Sequence, residues 1–332
     1  MKRHPVQLVI LCGGSGSRLW PITAQCSKPL VEIAPGRTLL DETLRRGERL
    51  SREYHSRHSL EGSPLPPLLV TTVAHPIPST YDHYPQLVEP YLNDTGVAMA
   101  RVAQYFSSVE DQRLILMIPA DHYIGNEEAY HHDLITALTN HQEGITLVGI
   151  PPLTPSIGYG YIVEAEGRII FREKPSAERA AILIAEGGYW NSGMVIVDTA
   201  TLSAAIPPSL REAAIHPTPG KYPSFDVAVL QTYPRLTLFR SQEWGWSDVG
   251  SWNQLLAVLP SPHPYHQSQC TEVKCYNGMG MEIVMVGITE PLVVVTHHHR
   301  LLILHPDHES SYKELVTQLT DSTASPPECS PK

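Results

Sequence analysis

The feature that most constrains this chain lies near its start. A short, almost continuous apolar run, Val6-Gln7-Leu8-Val9-Ile10-Leu11, passes directly into the glycine-rich loop Cys12 to Pro21. Such a run suits a strand buried on both faces. The pattern then repeats: strands are predicted over Leu68 to Val73, Leu114 to Ile118 and Thr146 to Ile150, and helices over Leu39 to Tyr54, Gly96 to Phe106 and Asn126 to Asn140. Strands alternating with helices predict an α/β fold with a mainly parallel sheet and helices on both faces. Ligands of such sheets bind beyond the carboxyl ends of the strands, which directs attention to the loops after Leu11, Val73 and Ile118.

The texture changes after Gly158, where Tyr161-Ile162-Val163 and Ile169-Ile170-Phe171 flank Glu166-Gly167 as in a hairpin. Beyond Pro260 the chain is rich in Pro and His and then strand-like over Ile283 to Val286, Leu292 to Thr296 and Leu301 to Leu304, with a helix predicted over Asp307 to Leu319. The expected organisation is a main α/β domain over 1–260, a small β-rich region over 261–319 and a disordered Ser/Thr/Pro-rich tail over 320–332. A length of 332 residues with 42% hydrophobic content is enough for a sizeable core. A net charge of −10 argues against non-specific nucleic-acid binding. The five cysteines, 12, 26, 270, 275 and 329, are odd in number and form no C-x-x-C pair. A disulfide framework is therefore not expected, and a reducing, cytoplasmic setting is. Neither a secretory leader nor an apolar stretch of membrane-spanning length is read.

In the loop Gly13-Gly14-Ser15-Gly16-Ser17-Arg18-Leu19-Trp20-Pro21, the glycines let backbone N–H groups approach a phosphate closely. Arg18 offers a fork of donors and Lys28 a point charge. No Gly-Lys-Ser/Thr ending marks a Walker A loop, and Leu19 stands where a dinucleotide fingerprint starting at Gly14 needs glycine. The loop alone leaves open a glycine turn with no ligand.

Seven further segments stand out, each with a plain structural reading beside a functional one. Asn93-Asp94-Thr95-Gly96, after Glu89-Pro90, suits a helix cap. Asp121 follows a buried strand in Leu116-Met117-Ile118-Pro119-Ala120-Asp121-His122, where an aspartate can cap a helix or hold Mg²⁺ against a phosphate. His122 reads as a packed side chain. Gly158-Tyr159-Gly160-Tyr161-Ile162 is a hairpin entry, and Glu173-Lys174 before Pro175 an ion pair. Trp190-Asn191-Ser192-Gly193-Met194 and Trp246-Ser247-Asp248-Val249-Gly250-Ser251-Trp252 complete the set, with Asp226 in Ser224-Phe225-Asp226 left between a structural and a substrate role. The run His297-His298-His299 is read as lying at a strand end, since adjacent strand residues face opposite ways and make a poor metal site.

Taken in order, these segments resemble the sugar-nucleotide pyrophosphorylase family, and in particular the mannose-1-phosphate guanylyltransferases. The loop is similar to G-G-x-G-[ST]-R-L-x-P with Trp before the Pro, and the later blocks to L-P-A-D-H, G-Y-G-Y-I, [VF]-x-E-K-P, W-N-S-G-M and W-x-D-[VI]-G-[ST]-W. The resemblance implies a Rossmann-like nucleotidyltransferase domain, with a small β-rich C-terminal region, that joins mannose 1-phosphate to GTP with Mg²⁺ as cofactor. It implies nucleotide contacts from Cys12, Gly13, Gly14, Ser15, Gly16, Ser17, the Glu89-Pro90 and Asn93 segment and Asp121. It implies sugar-phosphate contacts from Tyr159, Gly160, Glu173, Lys174 and Asn191. Arg18, Lys28, Asp121, Lys174 and Asp248 take the catalytic roles, and Asp121 and Asp248 hold the metal. The expected partners are GTP and mannose 1-phosphate, not nucleic acid or membrane, with a homodimer left open.

Two departures bear on base choice. Ser27-Lys28-Pro29-Leu30 stands where bacterial guanylyltransferases read P-K-Q-F, and Asp94 intrudes after Asn93. Another nucleotide-sugar pyrophosphorylase and a non-catalytic sugar-nucleotide-binding paralogue are the alternatives. A nicotinamide dehydrogenase is disfavoured by Leu19.

Overall fold

The computed structural model describes residues 3–14, 16–107, 112–259, 266–268, 273–279, 283–286, 288–305, 308 and 316. It divides into two compact units, one of residues 1–13 and 40–246, the other of residues 14–39 and 247–332. The segment 1–260, expected as one main domain, contributes to both. The predicted tail and most of the predicted helix Asp307 to Leu319 lie outside the described residues, as do Ser15, Cys270 and Cys329.

The first unit is built on nine strands: β1 (Val6–Leu11), β2 (Leu68–Thr72), β3 (Gln86–Glu89), β4 (Leu114–Pro119), β5 (Ile145–Ile150), β6 (Tyr161–Ala165), β7 (Arg168–Arg172), β8 (Tyr189–Asp198) and β9 (Leu236–Arg240). Their order is β9-β5-β8-β4-β1-β2-β3, with the β6–β7 hairpin attached to β8. The pairs β1–β2, β1–β4, β2–β3 and β5–β9 are parallel, whereas β8 runs antiparallel to both neighbours. The mostly parallel α/β sheet read from the sequence is thus borne out. Strand β3 was not anticipated: four residues between Pro85 and Pro90 carry little local signal, and pairing with β2 decides them.

Both sheet faces are covered, which is why β1 has no polar face. Val9, Leu68, Val70, Met117, Leu147 and Val195 pack in one core with helices α2 (Thr95–Ser107), α5 (Thr199–Ala205) and α6 (Pro208–Ile215). On the other face, Leu8 meets α1 (Leu39–Arg57) at Gly47, where an added Cβ would lie 3.0 Å from the Leu8 side chain. Next to α1 lies α3 (Glu127–Asn140), joined to it through Arg49 and Glu128 at 2.7 Å. Each apolar side chain buried fully in these layers contributes about 1.5–3 kcal/mol. Among the described residues, the remaining α-helix of this unit is α4 (Ala177–Ala185), capped by Ser176.

The second unit holds α7 (Trp252–Val258) and a three-stranded sheet of β10 (Val273–Asn277), β11 (Leu292–His297) and β12 (Arg300–Leu304). Val273, Cys275, Met285 and Val294 form its small core. This is the β-rich C-terminal region expected from the sequence. His298 and His299 make the turn between β11 and β12, so the histidine run sits at a strand end. Among the described residues, no helix is long and apolar enough to cross a membrane.

Candidate active site

The carboxyl ends of β1, β2, β3 and β4 share one edge of the sheet, fixed by the registers Leu11↔Val70, Thr72↔Glu89 and Leu11↔Pro119. Cys12, Gly13, Glu89, Pro90 and Asp121 therefore emerge at that edge, where α/β sheets bind ligands. The Cys12 N–H donates to Val70 O (2.8 Å), and the Ala120 N–H to Leu11 O (3.0 Å). Burial pushes the Cys12 thiol up, and the nearby charge of Asp121 pushes the same way. Glu89 is only 3% exposed, and its Oε1 has no hydrogen-bond partner among the described residues. Burial raises its carboxyl to about 7, against the pull of Arg101. Asn93 Oδ1 is likewise buried and unpartnered among the described residues. Asp94 accepts from the adjacent Thr95 N–H (2.7 Å) at the start of α2, a local contact rather than the cap bond to the second or third helical N–H that the sequence suggested.

Because β8 is antiparallel, its beginning reaches the same edge. Gly193, at φ +71°, lets β8 bulge past Pro119 and His122. Asn191 N–H donates to Gly160 O (2.8 Å). A Cβ on Gly160 would stand 2.7 Å from the Phe171 ring and 3.1 Å from Glu173 Oε2, so only glycine fits there. Tyr159 packs on Trp190 (4.9 Å between centroids) and Trp246 (5.3 Å). Tyr159, Gly160, Glu173 and Asn191, from three separate segments, are thus gathered at one place. Lys174 pairs with Glu173 at 2.8 Å, as an ion-pair reading requires, and stays largely exposed. Its φ of 36° is unusual for a residue with a side chain. His122 is buried and edge-on to Trp246, whose indole N–H donates to His122 Nδ1 (3.2 Å). This leaves Nε2 toward Asp121, 4.0 Å from Oδ1. Packing alone understates His122, because the same ring that packs on Trp246 also faces the aspartate.

The second unit arranges the rest of the glycine loop. Gly16 sits at φ +64°, and a Cβ there would come within 2.6 Å of Lys28 Cβ. The loop closes through Lys28 N–H to Gly14 O (3.2 Å) and Thr23 Oγ1 to Gly16 O (2.9 Å). Ser17 and Arg18 follow in a short 3₁₀ turn over Ser17–Leu19, with Arg18 exposed. Lys28 is buried, and its Nζ donates to the backbone carbonyl of Asp248. Asp248 Oδ1 accepts from Gln254 Nε2 (2.8 Å). A Cβ on Gly250 would lie 2.5 Å from Asp248 Oδ2 and 3.2 Å from Arg18 Nη2, so Arg18 and Asp248 both flank that glycine. Val249, between Asp248 and Gly250 in the chain, is held at φ 46°, a costly conformation for a β-branched residue.

A protein-family model described as nucleotidyl transferase matches residues 7–53 and 83–261, more than half of the chain. The chain belongs to the nucleotidyl transferase family. Alginate biosynthesis protein AlgA from Pseudomonas fluorescens is 29% identical, over 94% of this chain and 71% of its own. A mannose-1-phosphate guanylyltransferase from Klebsiella pneumoniae is 27% identical, over 96% of this chain and 74% of its own. The crystal structure of mannose-1-phosphate geranyltransferase from Thermus thermophilus superposes with a TM-score of 0.76 at 26% identity, covering 95% of this chain and 99% of that one. As a nucleotidyl transferase the chain is an enzyme that handles a nucleotide and a sugar phosphate.

The sequence reading named neither Gln254, which donates to Asp248, nor a partner for Trp246. Gln254 had a signal: it lies on the first turn of a helix capped by Ser251, just after Asp248. Trp246 was quoted only as part of a motif, and no local pattern couples it to a histidine 124 residues away.

Proposed function

We propose that this nucleotidyl transferase forms GDP-mannose and pyrophosphate from GTP and mannose 1-phosphate by in-line displacement, in the cytoplasm and with Mg²⁺. A phosphate oxygen of mannose 1-phosphate attacks the α-phosphorus of GTP. The bond to the β-phosphate oxygen breaks, and pyrophosphate leaves with the bonding pair. No covalent intermediate is needed, so the protein's task is alignment and charge neutralisation.

The support is the gathering of Tyr159, Gly160, Glu173 and Asn191 beside the carboxyl edge of the sheet, which is the composition of a hydroxyl-rich sugar site. Glu173 and Asn191 would hold sugar hydroxyls, Tyr159 the ring face, and Lys174 the attacking phosphate. Arg18, Lys28 and the amides of the glycine loop, from Gly13 through Ser15 to Ser17, would carry the leaving pyrophosphate. Glu89, with an unpartnered oxygen, suits a base edge that presents two N–H donors, as guanine does. Pro90 and Asn93 would border the same base.

Asp121 and Asp248 are the assigned metal ligands. Among the described residues no group of three or more His, Cys, Asp or Glu could hold a metal unaided. A cation held by one or two carboxylates and otherwise by substrate phosphates and water fits such a donor set, and Mg²⁺ binds in that way. When bound, it would neutralise charge on the α-phosphate.

A panel of the four nucleoside triphosphates against several sugar 1-phosphates, scored by product mass, tests the proposal. GDP-mannose should be the fastest product. A different base or sugar in that product would transfer the activity to another pyrophosphorylase, and no product at all would favour a non-catalytic paralogue.

A further inference from the structure

Asn191 is a sugar-facing group whose side chain is held at both ends. Its Oδ1 accepts from the Gly193 N–H (3.2 Å), across the β8 bulge. Its Nδ2 donates to Asp226 Oδ1 (2.7 Å). A side-chain amide has two N–H donors and one oxygen acceptor, and it can turn over unless something distinguishes its ends. Here turning it would set oxygen against a carboxylate and N–H against N–H. One remaining N–H and one lone pair of Asn191 therefore have fixed directions.

The residue that fixes the donor end comes from elsewhere in the fold. Asp226 begins a π-helical turn, Asp226–Leu230, closed by Gln231 N–H to Asp226 O (3.1 Å). That turn is tied down by the Phe225 N–H donating to Thr95 Oγ1 (3.0 Å) at the start of α2. Burial, aided by the charges of Glu173 and Asp94 and opposed by its hydrogen bonds, raises the Asp226 carboxyl to about 6. The Glu173 carboxylate and an Asn191 amide of fixed polarity make a stereochemical reader of hydroxyls: the carboxylate accepts from one hydroxyl, and the oriented N–H donates to another.

We propose that Asp226 is a positioning residue that locks the Asn191 amide and so decides which hydroxyl stereochemistry the enzyme accepts in its sugar 1-phosphate. The inference rests on the sugar-phosphate reading above.

Steady-state kinetics with GTP and either mannose 1-phosphate or its C2 epimer, glucose 1-phosphate, test it on Asp226→Ala, Asp226→Asn, Asn191→Ala and the Asn191→Ala/Asp226→Ala pair. Losing one oriented hydrogen bond corresponds to roughly a tenfold change. Asp226→Ala should raise KM for mannose 1-phosphate about tenfold, leave KM for GTP unchanged, and bring the kcat/KM values of the two epimers closer together. Asp226→Asn keeps an acceptor oxygen and should recover most of the loss. The double variant should be no worse than Asn191→Ala alone. An unchanged GTP KM also reports that the variant is folded. Equal rises in both KM values, or multiplying effects in the double variant, would overturn the proposal. If the wild type turns over sugar 1-phosphates while Asp226→Ala keeps wild-type sugar KM and preference, the positioning role alone fails. If the wild type neither binds nor turns over any sugar 1-phosphate, the functional reading falls and this one with it.

Discussion

A carboxyl group in a residue only 3% exposed, with one oxygen unpartnered among the described residues, carries its charge at a cost. For Glu89 that cost appears as a pKa of about 7 against an ordinary 4.5. The folded protein thus holds the Glu89 proton more tightly than the unfolded chain does. Its contribution to stability is fullest below pH 4.5 and is lost as pH rises toward 7. Glu89→Gln should therefore match wild type at the acidic end and gain on it as pH rises, by on the order of 2–3 kcal/mol above about pH 7. Urea unfolding from about pH 5 to 8 reads the difference, and a constant gap across that range would refute the burial argument. Also at this scale, the sequence marked three glycines in the first loop as phosphate-approach positions without ranking them. The fold distinguishes Gly16, whose left-handed backbone and contact with Lys28 exclude any side chain.

The starts of the first three helices were read to within a residue, at Leu39, Gly96 and Asn126. Asn126, and also Ser176 and Ser251, which the sequence reading did not mark, each accept from an N–H three residues on, where short polar side chains do best. What holds one element to another was not legible. Asp133, inside α3, looks like an ordinary helix carboxylate in sequence. It accepts from the Gln242 N–H (2.6 Å), Gln242 Nε2 (2.9 Å) and Trp244 Nε1 (2.9 Å), and so ties α3 to the segment leaving β9. Asp133→Ala would strand several donors in a buried place, where each lost partner costs about 1–3 kcal/mol. A loss of roughly 3–5 kcal/mol in denaturant unfolding is expected, comparable to breaking a buried charged network. A loss below about 1 kcal/mol would mean that water replaces the carboxylate. Strand β8 makes the same point for a whole element. The sequence marked only the motif Trp190-Asn191-Ser192-Gly193-Met194 there; the antiparallel insertion of this strand between β4 and β5 is decided by packing, and it brings Asn191 to the carboxyl edge of the sheet.

At the scale of the molecule, two motifs are each divided between the compact units. Gly13 falls in the first and Gly14 in the second, as do Trp246 and Ser247. The proposed metal ligands are assigned one to each, Asp121 to the first and Asp248 to the second. If Asp248 acts on the α-phosphate, Asp248→Ala should cut turnover by about 10²–10³ while leaving the melting temperature near wild type, since losing one charge-stabilising group costs about 3–4 kcal/mol in the transition state. Full Mg²⁺-dependent turnover in that variant would remove the assignment. The sequence by itself determined the alternation of strands and helices, the mainly parallel sheet and the motif order, because hydrophobic period, caps and glycine loops act over a few residues. Only the tertiary structure decided that Asp226 locks Asn191, that Trp246 orients His122 and that Glu89 is buried. Those facts depend on strand order and on contacts between residues far apart in the chain, and no local pattern encodes them.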